Sequence, residues 1–354
     1  MTRSEHNPWL NRFAFFVALN TLALVGLGGL VTSKEAGMTV PDWPTSYGYN
    51  MFFFPISLWK GGIFYEHTHR LFASWVGFLT LGLAAWIWMR DSRSWLRKLG
   101  VAAVFLVILQ GVLGGLRVVL FRDQIGIAHA ALAQIFLAVL ASIAFVTSPL
   151  ASRLTPIGLP FRFRSLLAWV TGMIFLQLLL GATLRHEHAG LAIPDFPLAY
   201  GQLWPATDPA TLQRINLSHA DVTITPFQIY VHMAHRLWAC VVLFSGLAVS
   251  WRIVRTPGTG VLLIRGAMTL SALLVTQAIL GACTVWTGKA ADVATLHVVL
   301  GAMCLVTAVL LTLTAERLSK PVELSRLAQA EVRTWSPESS ESRSAALHSS
   351  QKSA

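Results

Sequence analysis

Charge is what this sequence has least of. Only 12% of its 354 residues are Asp, Glu, Lys or Arg, against 55% hydrophobic residues and a mean hydropathy of +0.60. Soluble domains carry about a quarter charged residues, so the deficit excludes an ordinary water-soluble enzyme, a disordered chain and a nucleic-acid binder with a dispersed basic face. Cysteine is scarce as well. Cys240, Cys283 and Cys304 are an odd number and all lie in apolar segments, which leaves no loop disulfide and no C-x-x-C redox motif. They read as buried structural thiols. Acidic residues number 16 against 27 basic ones, and the resulting charge of +11 needs a cause.

What is present in quantity is apolar sequence. A membrane-crossing helix takes about 20 such residues, and eight stretches qualify or nearly so: roughly 13–33, 65–89, 99–121, 126–148, 165–185, 228–251, 262–286 and 293–315. The first is too long, and too poor in a small-residue cleavage site, for a removable signal peptide. Most basic residues then sort to one side: Arg3 and Arg12, the connections after the second, fourth and sixth spans, and the segment beyond 316. The positive-inside rule makes that side cytoplasmic and holds both termini there. The net charge is thus a mark of topology, membrane lipid becomes the expected surroundings, and nucleic acid drops out as a partner. The long connections, about 34–64 and 186–227, fall outside, and loops of that length are often functional. Residues 317–354 are Ser-rich, lose the apolar period and read as a disordered cytoplasmic tail.

The chain also repeats itself. Gly37-Met38-Thr39-Val40-Pro41-Asp42-Trp43-Pro44 matches Gly190-Leu191-Ala192-Ile193-Pro194-Asp195-Phe196-Pro197 at an offset of 153, and Tyr47-Gly48 matches Tyr200-Gly201 at the same offset. Gln110 to Gly114 matches Gln277 to Gly281 at an offset of 167, the difference being absorbed mainly by a longer second loop. Each half holds four spans, so both cross in the same direction. The expected architecture is an all-α membrane protein: eight transmembrane helices as two tandem four-helix bundles related by a pseudo-two-fold axis along the membrane normal. Their boundaries are 13–150 and 151–316, with a cytoplasmic segment 1–12 before them.

Of eleven histidines, four occupy equivalent places. His69 and His235 each open a His-Arg pair near the outer end of the second and sixth spans. His129 and His297 lie a few residues into the fourth and eighth, 60 and 62 residues further on. Two imidazoles at matched depth on parallel helices of one bundle are the arrangement that bis-histidine haem ligation needs. Zinc fits less well, since a structural zinc site takes four ligands and usually includes Cys. Gly111, Gly114, Gly115 and Gly281 permit the close backbone approach of a flat macrocycle, although helix packing uses glycine in the same way. His67 points away from His69 on a helix and reads as interfacial. His186 and His188 read as members of a solvated loop, and His6, His219 and His348 as exposed.

One difference separates the halves. Glu66 stands three residues before His69 on the same helical face, where His232 stands before His235. A carboxylate there could relay protons, stabilise a developing cation or pair with Arg. The amino-terminal half is therefore expected to hold a reacting ligand and the carboxyl-terminal half a permanent cofactor. Arg70 and Arg236, each following a ligand histidine, are candidates for haem propionates or for lipid phosphate.

The Glu-x-x-His-Arg run (Glu66, His69, Arg70) with His129, the His232-x-x-His235-Arg236 run with His297, and the Pro-Asp-Trp-Pro and Pro-Asp-Phe-Pro loops together resemble the haem A synthase family over about residues 10–315. The resemblance implies oxidation of the C8 methyl of haem O to the formyl group of haem A by successive hydroxylations. It also implies a resident haem b on His235 and His297, with Arg236 beside it. Haem O would lie between His69 and His129 near Arg70, with Glu66 as catalytic carboxylate. Some members carry a Cys pair in the first outer loop; this chain has none and is similar to the cysteine-free proteobacterial and mitochondrial branch. No mitochondrial transit peptide is evident in Met1 to Arg12, which favours a bacterial inner membrane with the haem sites near the outer face. Haem O synthase, cytochrome oxidase assembly factors and a second copy of the chain are the partners the resemblance suggests. A dihaem b-type cytochrome in quinol-linked electron transfer and a haem transporter or chaperone remain alternatives. Four histidines at one depth argue against a transmembrane electron wire.

Overall fold

The structure, a computed structural model, describes residues 7–218 and 223–321. The tail beyond residue 321 and the expectations for His6, His219 and His348 lie outside the described residues. Each expected span is met by one long helix: α1 (Pro8–Ser33), α2 (Gly62–Arg90), α3 (Ser94–Val119), α4 (Ile125–Val146), α6 (Phe161–His186), α8 (Pro226–Arg255), α9 (Val261–Trp286) and α10 (Ala291–Leu318). Two short helices, α5 (Pro149–Arg153) and α7 (Pro209–Ser218), lie in connections. The chain is a multi-pass membrane protein.

Several helices start earlier than their apolar windows because polar caps start them. Asn7 accepts from the Trp9 and Leu10 amides with Pro8 in the first turn, and Thr225 forms a reciprocal capping box with Gln228 ahead of Pro226. Such caps satisfy N–H groups that have no partner within the helix. Within the spans, hydroxyls turn back on their own helix: Thr21 donates to the Val17 carbonyl at 2.9 Å and Thr80 to that of Val76 at 2.8 Å. Large apolar side chains such as Phe78 (61% exposed), Trp169 (73%) and Phe244 (68%) cover the outside, a surface suited to lipid rather than water.

The helices close into two rings. α1 and α3 each pack on α2 and α4, and α6 and α9 each pack on α8 and α10. Each ring has its own apolar core: Leu10, Val76, Leu83, Ile87, Leu96 and Leu140 in the first, Leu167, Val170, Ile253, Leu263, Leu270 and Leu305 in the second. Both cores sit toward the end opposite the long loops. The apolar cores fill that end, and Glu66 with the buried histidines His67, His186 and His232 lies at the long-loop end.

The rings meet where α1 packs on α10 and where α4 packs on α6 and α10. Small residues make this seam close, with Gly26 and Gly29 facing Val299, Thr295 and Val298. Arg185 crosses it, donating to the Gly29 carbonyl at 2.8 Å and the Ser33 hydroxyl at 3.0 Å. The duplication extends to backbone conformation. Residues with positive φ fall at equivalent positions of the two halves: Glu35 with His188, Tyr47 with Tyr200, and Phe121 with Gly288.

Candidate functional site

His69, His129, His235 and His297 all lie within the first three turns of α2, α4, α8 and α10, at the long-loop end. Each imidazole faces a glycine on the helix before it. A Cβ at Gly28 would stand 3.1 Å from the His69 ring, at Gly114 3.3 Å from His129, at Gly181 3.1 Å from His235 and at Gly281 3.3 Å from His297. The ring carbon met is Cε1 in every case, so the four imidazoles are seated alike. α2 and α4 both pack on α1 and α3, and α8 and α10 both on α6 and α9, so the histidines of each pair stand on opposite helices of one ring, at the same end. The structure therefore brings together the two pairs that spacing predicted.

Three of the four glycines follow a glutamine by one helical turn. Gln110 donates to the His129 carbonyl at 3.1 Å, Gln177 to that of His235 at 3.1 Å and Gln277 to that of His297 at 2.9 Å. The Gln177 amide nitrogen also lies 3.2 and 3.3 Å from the two His235 ring nitrogens. At the corresponding place before Gly28 stands Leu24. Gly28, Gly181 and Gln177 were missed from sequence, although a signal was available. Leu-Gly followed by Gly or Ala recurs as Leu27-Gly28-Gly29, Leu113-Gly114-Gly115, Leu180-Gly181-Ala182 and Leu280-Gly281-Ala282, and once more at Leu300-Gly301-Ala302, which faces no ligand histidine. Of the glycines expected to admit a macrocycle, Gly114 and Gly281 serve the histidines. Gly115 instead receives the Trp43 indole, and no atom lies close to the Cβ position of Gly111.

The long loops are turned identically. Asp42 accepts from the Tyr47 and Gly48 amides at 2.7 and 2.8 Å, and Asp195 from the Tyr200 and Gly201 amides at 2.7 and 2.8 Å. Burial works to raise both carboxyls, but these bonds outweigh it and hold both below the usual range, with Thr45 helping at Asp42. Burial, reinforced by Asp195, pushes the Tyr200 hydroxyl up to about 12.

Arg70 and Arg236 fasten these loops. Arg70 donates to the carbonyls of Asp42 (2.7 Å), Thr45 (3.1 Å) and Val40 (2.7 Å), while Arg236 donates to those of Leu198 (2.9 Å), Ile193 (3.4 Å) and Asp195 (2.6 Å). The acceptors are equivalent positions of the repeat. Sequence patterns offered propionate or lipid phosphate as partners; most of each guanidinium is instead committed to backbone.

Glu66 is buried and fully engaged. One oxygen accepts from Arg70 at 2.8 Å, and the other accepts from the Thr39 hydroxyl at 3.0 Å and the Val40 amide at 2.9 Å. His232 is also buried, but its Nδ1 has no partner. His67 is not interfacial. It is fully buried beneath the first loop, between Phe54 and Trp59, with Nδ1 3.2 Å from the Ser46 hydroxyl. His186 is likewise buried and reaches across the seam to Asp123 at 3.1 Å, while exposed His188 approaches the same carboxylate at 3.3 Å. Burial works to raise the Asp123 carboxyl, but His186 and Arg117 hold it far below the carboxylate range. The thiols divide: Cys304 is buried, Cys283 half-buried and Cys240 exposed, which corrects the expectation that all three are buried.

These residues fit a haem. The buried Nδ1 atoms of His69, His129 and His297 have no partner, and four glycines seat the imidazoles alike against the neighbouring helices. Two imidazoles per ring match a group that takes two axial donors and brings its own equatorial ligands. Among the described residues, no cluster of three or more His, Cys, Asp or Glu is suited to enclosing a bare ion.

Comparison with known proteins agrees with this architecture. The chain is similar to a haem A synthase of Novosphingobium aromaticivorans, 25% identical over 341 residues, covering 83% of this chain and 91% of that protein. A haem A synthase of Erythrobacter litoralis is 26% identical over 331 residues, covering 84% and 94%. One from Lysinibacillus sphaericus is 24% identical over 301 residues, covering 83% and 91%. The family model described as cytochrome oxidase assembly protein, COX15-CtaA, matches residues 11–310, which include all eight long helices nearly whole and both histidine pairs. By that match the chain belongs to the COX15-CtaA family of cytochrome oxidase assembly proteins.

Proposed function

We propose that this protein is a haem A synthase, oxidising the C8 methyl group of haem O to the formyl group of haem A by successive hydroxylations. The observation that carries the proposal is an asymmetry within a duplicated site: two matched histidine pairs, one bordered by buried Glu66 and the other by His232. Haem O occupies the amino-terminal bundle, residues 13–150, between His69 and His129. A resident haem b occupies the carboxyl-terminal bundle, residues 151–316, on His235 and His297. When bound, the two iron porphyrins supply the redox chemistry.

The chain's own residues bind and orient. The glycine notches fix where each imidazole stands, and the apolar core at the opposite end keeps water from entering along the ring axis. Glu66, at the outer rim of the His69 seat, would take up protons released as the substrate is oxidised, the electrons leaving by way of the bound porphyrins. Its orientation is set beforehand by Arg70, Thr39 and Val40, so no reorganisation is needed as charge develops. Arg236 Nε is buried without a partner, which supports a propionate contact in the second bundle. The protein lies in a bacterial inner membrane, and the distribution of Lys and Arg supports cytoplasmic termini and both sites near the outer face. Haem O synthase supplies the substrate there, and cytochrome oxidase assembly factors receive the product.

Pigment extraction from membranes with and without the protein tests the activity. Haem O should accumulate in its absence, and unchanged haem A overturns the proposal. In the Glu66→Gln variant, haem A should disappear while the resident haem spectrum persists. Loss of that spectrum instead would make Glu66 a folding residue and not a catalytic one.

A further inference from the structure

The glutamines before the glycine notches do something the activity alone does not require. In three of the four histidine seats, an amide one turn below the notch donates to the backbone carbonyl of the histidine itself. With the glycine at Cε1 and the amide beneath, the imidazole is held at two points of one helix face. The amide oxygens of Gln110, Gln177 and Gln277 are buried and have no partner, and neither do the Nδ1 atoms of His129 and His297. The amide nitrogen also approaches the ring, 3.2 and 3.3 Å from the His235 nitrogens and 3.4 Å from His297 Nε2. The bond to the histidine carbonyl fixes the turn of helix that carries the ligand, so each of these seats is held from behind. His69 alone has no such neighbour: Leu24, partly buried in the apolar core, occupies the equivalent position and offers the His69 carbonyl no donor.

We propose that Gln110, Gln177 and Gln277 are positioning residues that lock His129, His235 and His297, and that Leu24 leaves His69 unlocked, so that the amino-terminal site exchanges its porphyrin faster than the carboxyl-terminal one. The inference rests on the haem reading above. It gives the duplication a purpose: a cofactor has to stay, whereas a substrate has to enter and its product to leave. Both ligands of the retaining site are locked. In the exchanging site one ligand anchors and the other yields. Loss of a hydrogen-bonding partner behind a metal-bound histidine weakens metal affinity by about 10–100-fold, a difference large enough to separate a resident group from a transient one.

The test is haem transfer from the full-length, haem-loaded protein to excess apomyoglobin, followed by visible absorbance. Two phases are expected, the fast one absent in His69→Ala. Gln277→Leu should accelerate the slow phase about tenfold and shift the midpoint potential of the resident haem. Gln277→Glu, which keeps the side chain's size but loses the donor to the His297 carbonyl, should release haem as fast as Gln277→Leu, a response that a packing role would not give. Leu24→Gln should slow the fast phase about tenfold. Should that variant not fold, Gln110→Leu should speed the fast phase and leave the slow one unchanged. Equal release from both sites, or glutamine variants with parental release and potential, overturns the inference and leaves the haem reading standing. A parent protein that takes up no haem overturns that reading and the inference together.

Discussion

The two rings share a backbone plan and differ in how the plan is fastened. In both, an aspartate turns the long loop and an arginine one residue after a ligand histidine holds that loop by its carbonyls. In the first ring the arginine also carries a buried carboxylate, which reaches the loop through Thr39 and Val40. The second ring replaces this polar fastening with an apolar one, a satellite core of Ile193, Ala199, Ile215, Ile224, Ile229 and Met233 under the longer loop. Apolar packing is cheap to keep and indifferent to protons. A buried ion pair is expensive to desolvate, and its presence in only one of two equivalent places is better explained by chemistry than by stability.

Three experiments sharpen this comparison. The largest effect belongs to the ligands. His235→Ala should remove the resident haem spectrum altogether, whereas His69→Ala should preserve it and abolish haem A; absorbance and pigment analysis of the two purified variants separate the rings. Next comes the fastening. Arg70→Leu leaves Glu66 buried without its cation, a loss of about 3–5 kcal/mol for a pair of this kind. Arg236→Leu removes bonds to backbone carbonyls and the proposed propionate contact but strands no buried carboxylate of the chain, and should lower the melting temperature in detergent by clearly less. Equal losses would show that the carboxylate is not buried as an ion.

The smallest effect concerns the seam, where Asp123 pairs with Arg117 and His186. A carboxyl held far below its ordinary value of about 4 contributes stability that is complete above that value and fades only as pH falls through the depressed one. Parent stability should therefore hold through mildly acidic pH. Asp123→Asn should be less stable at neutral pH and flatter in acid, as read from melting temperatures across that range.

The sequence carried the spans because lipid demands composition, which is local. It carried the histidine pairs because matched depth on parallel helices is a matter of counting. It could not carry the targets of Arg70 and Arg236, since a backbone carbonyl has no signature of its own. His67 and His186 were misjudged for a related reason: each is covered by a partner distant in sequence, Phe54 and Trp59 from the loop above, Asp123 from the other ring. The glutamine locks were half visible. Matching two halves paired Gln110 with Gln277, but the motif recurs once per helix pair, and loops of unequal length hid Gln177 and its absent counterpart at Leu24.

One feature of the seam reaches beyond both sites. α4 and α10 touch each other across it, and each bears a ligand histidine. The wall against which the first ring closes is thus made partly of the helix that bears His297. Under the proposed function, a rigid planar group seated there would fix the pose of α10, and with it the surface on which α1 and α4 rest.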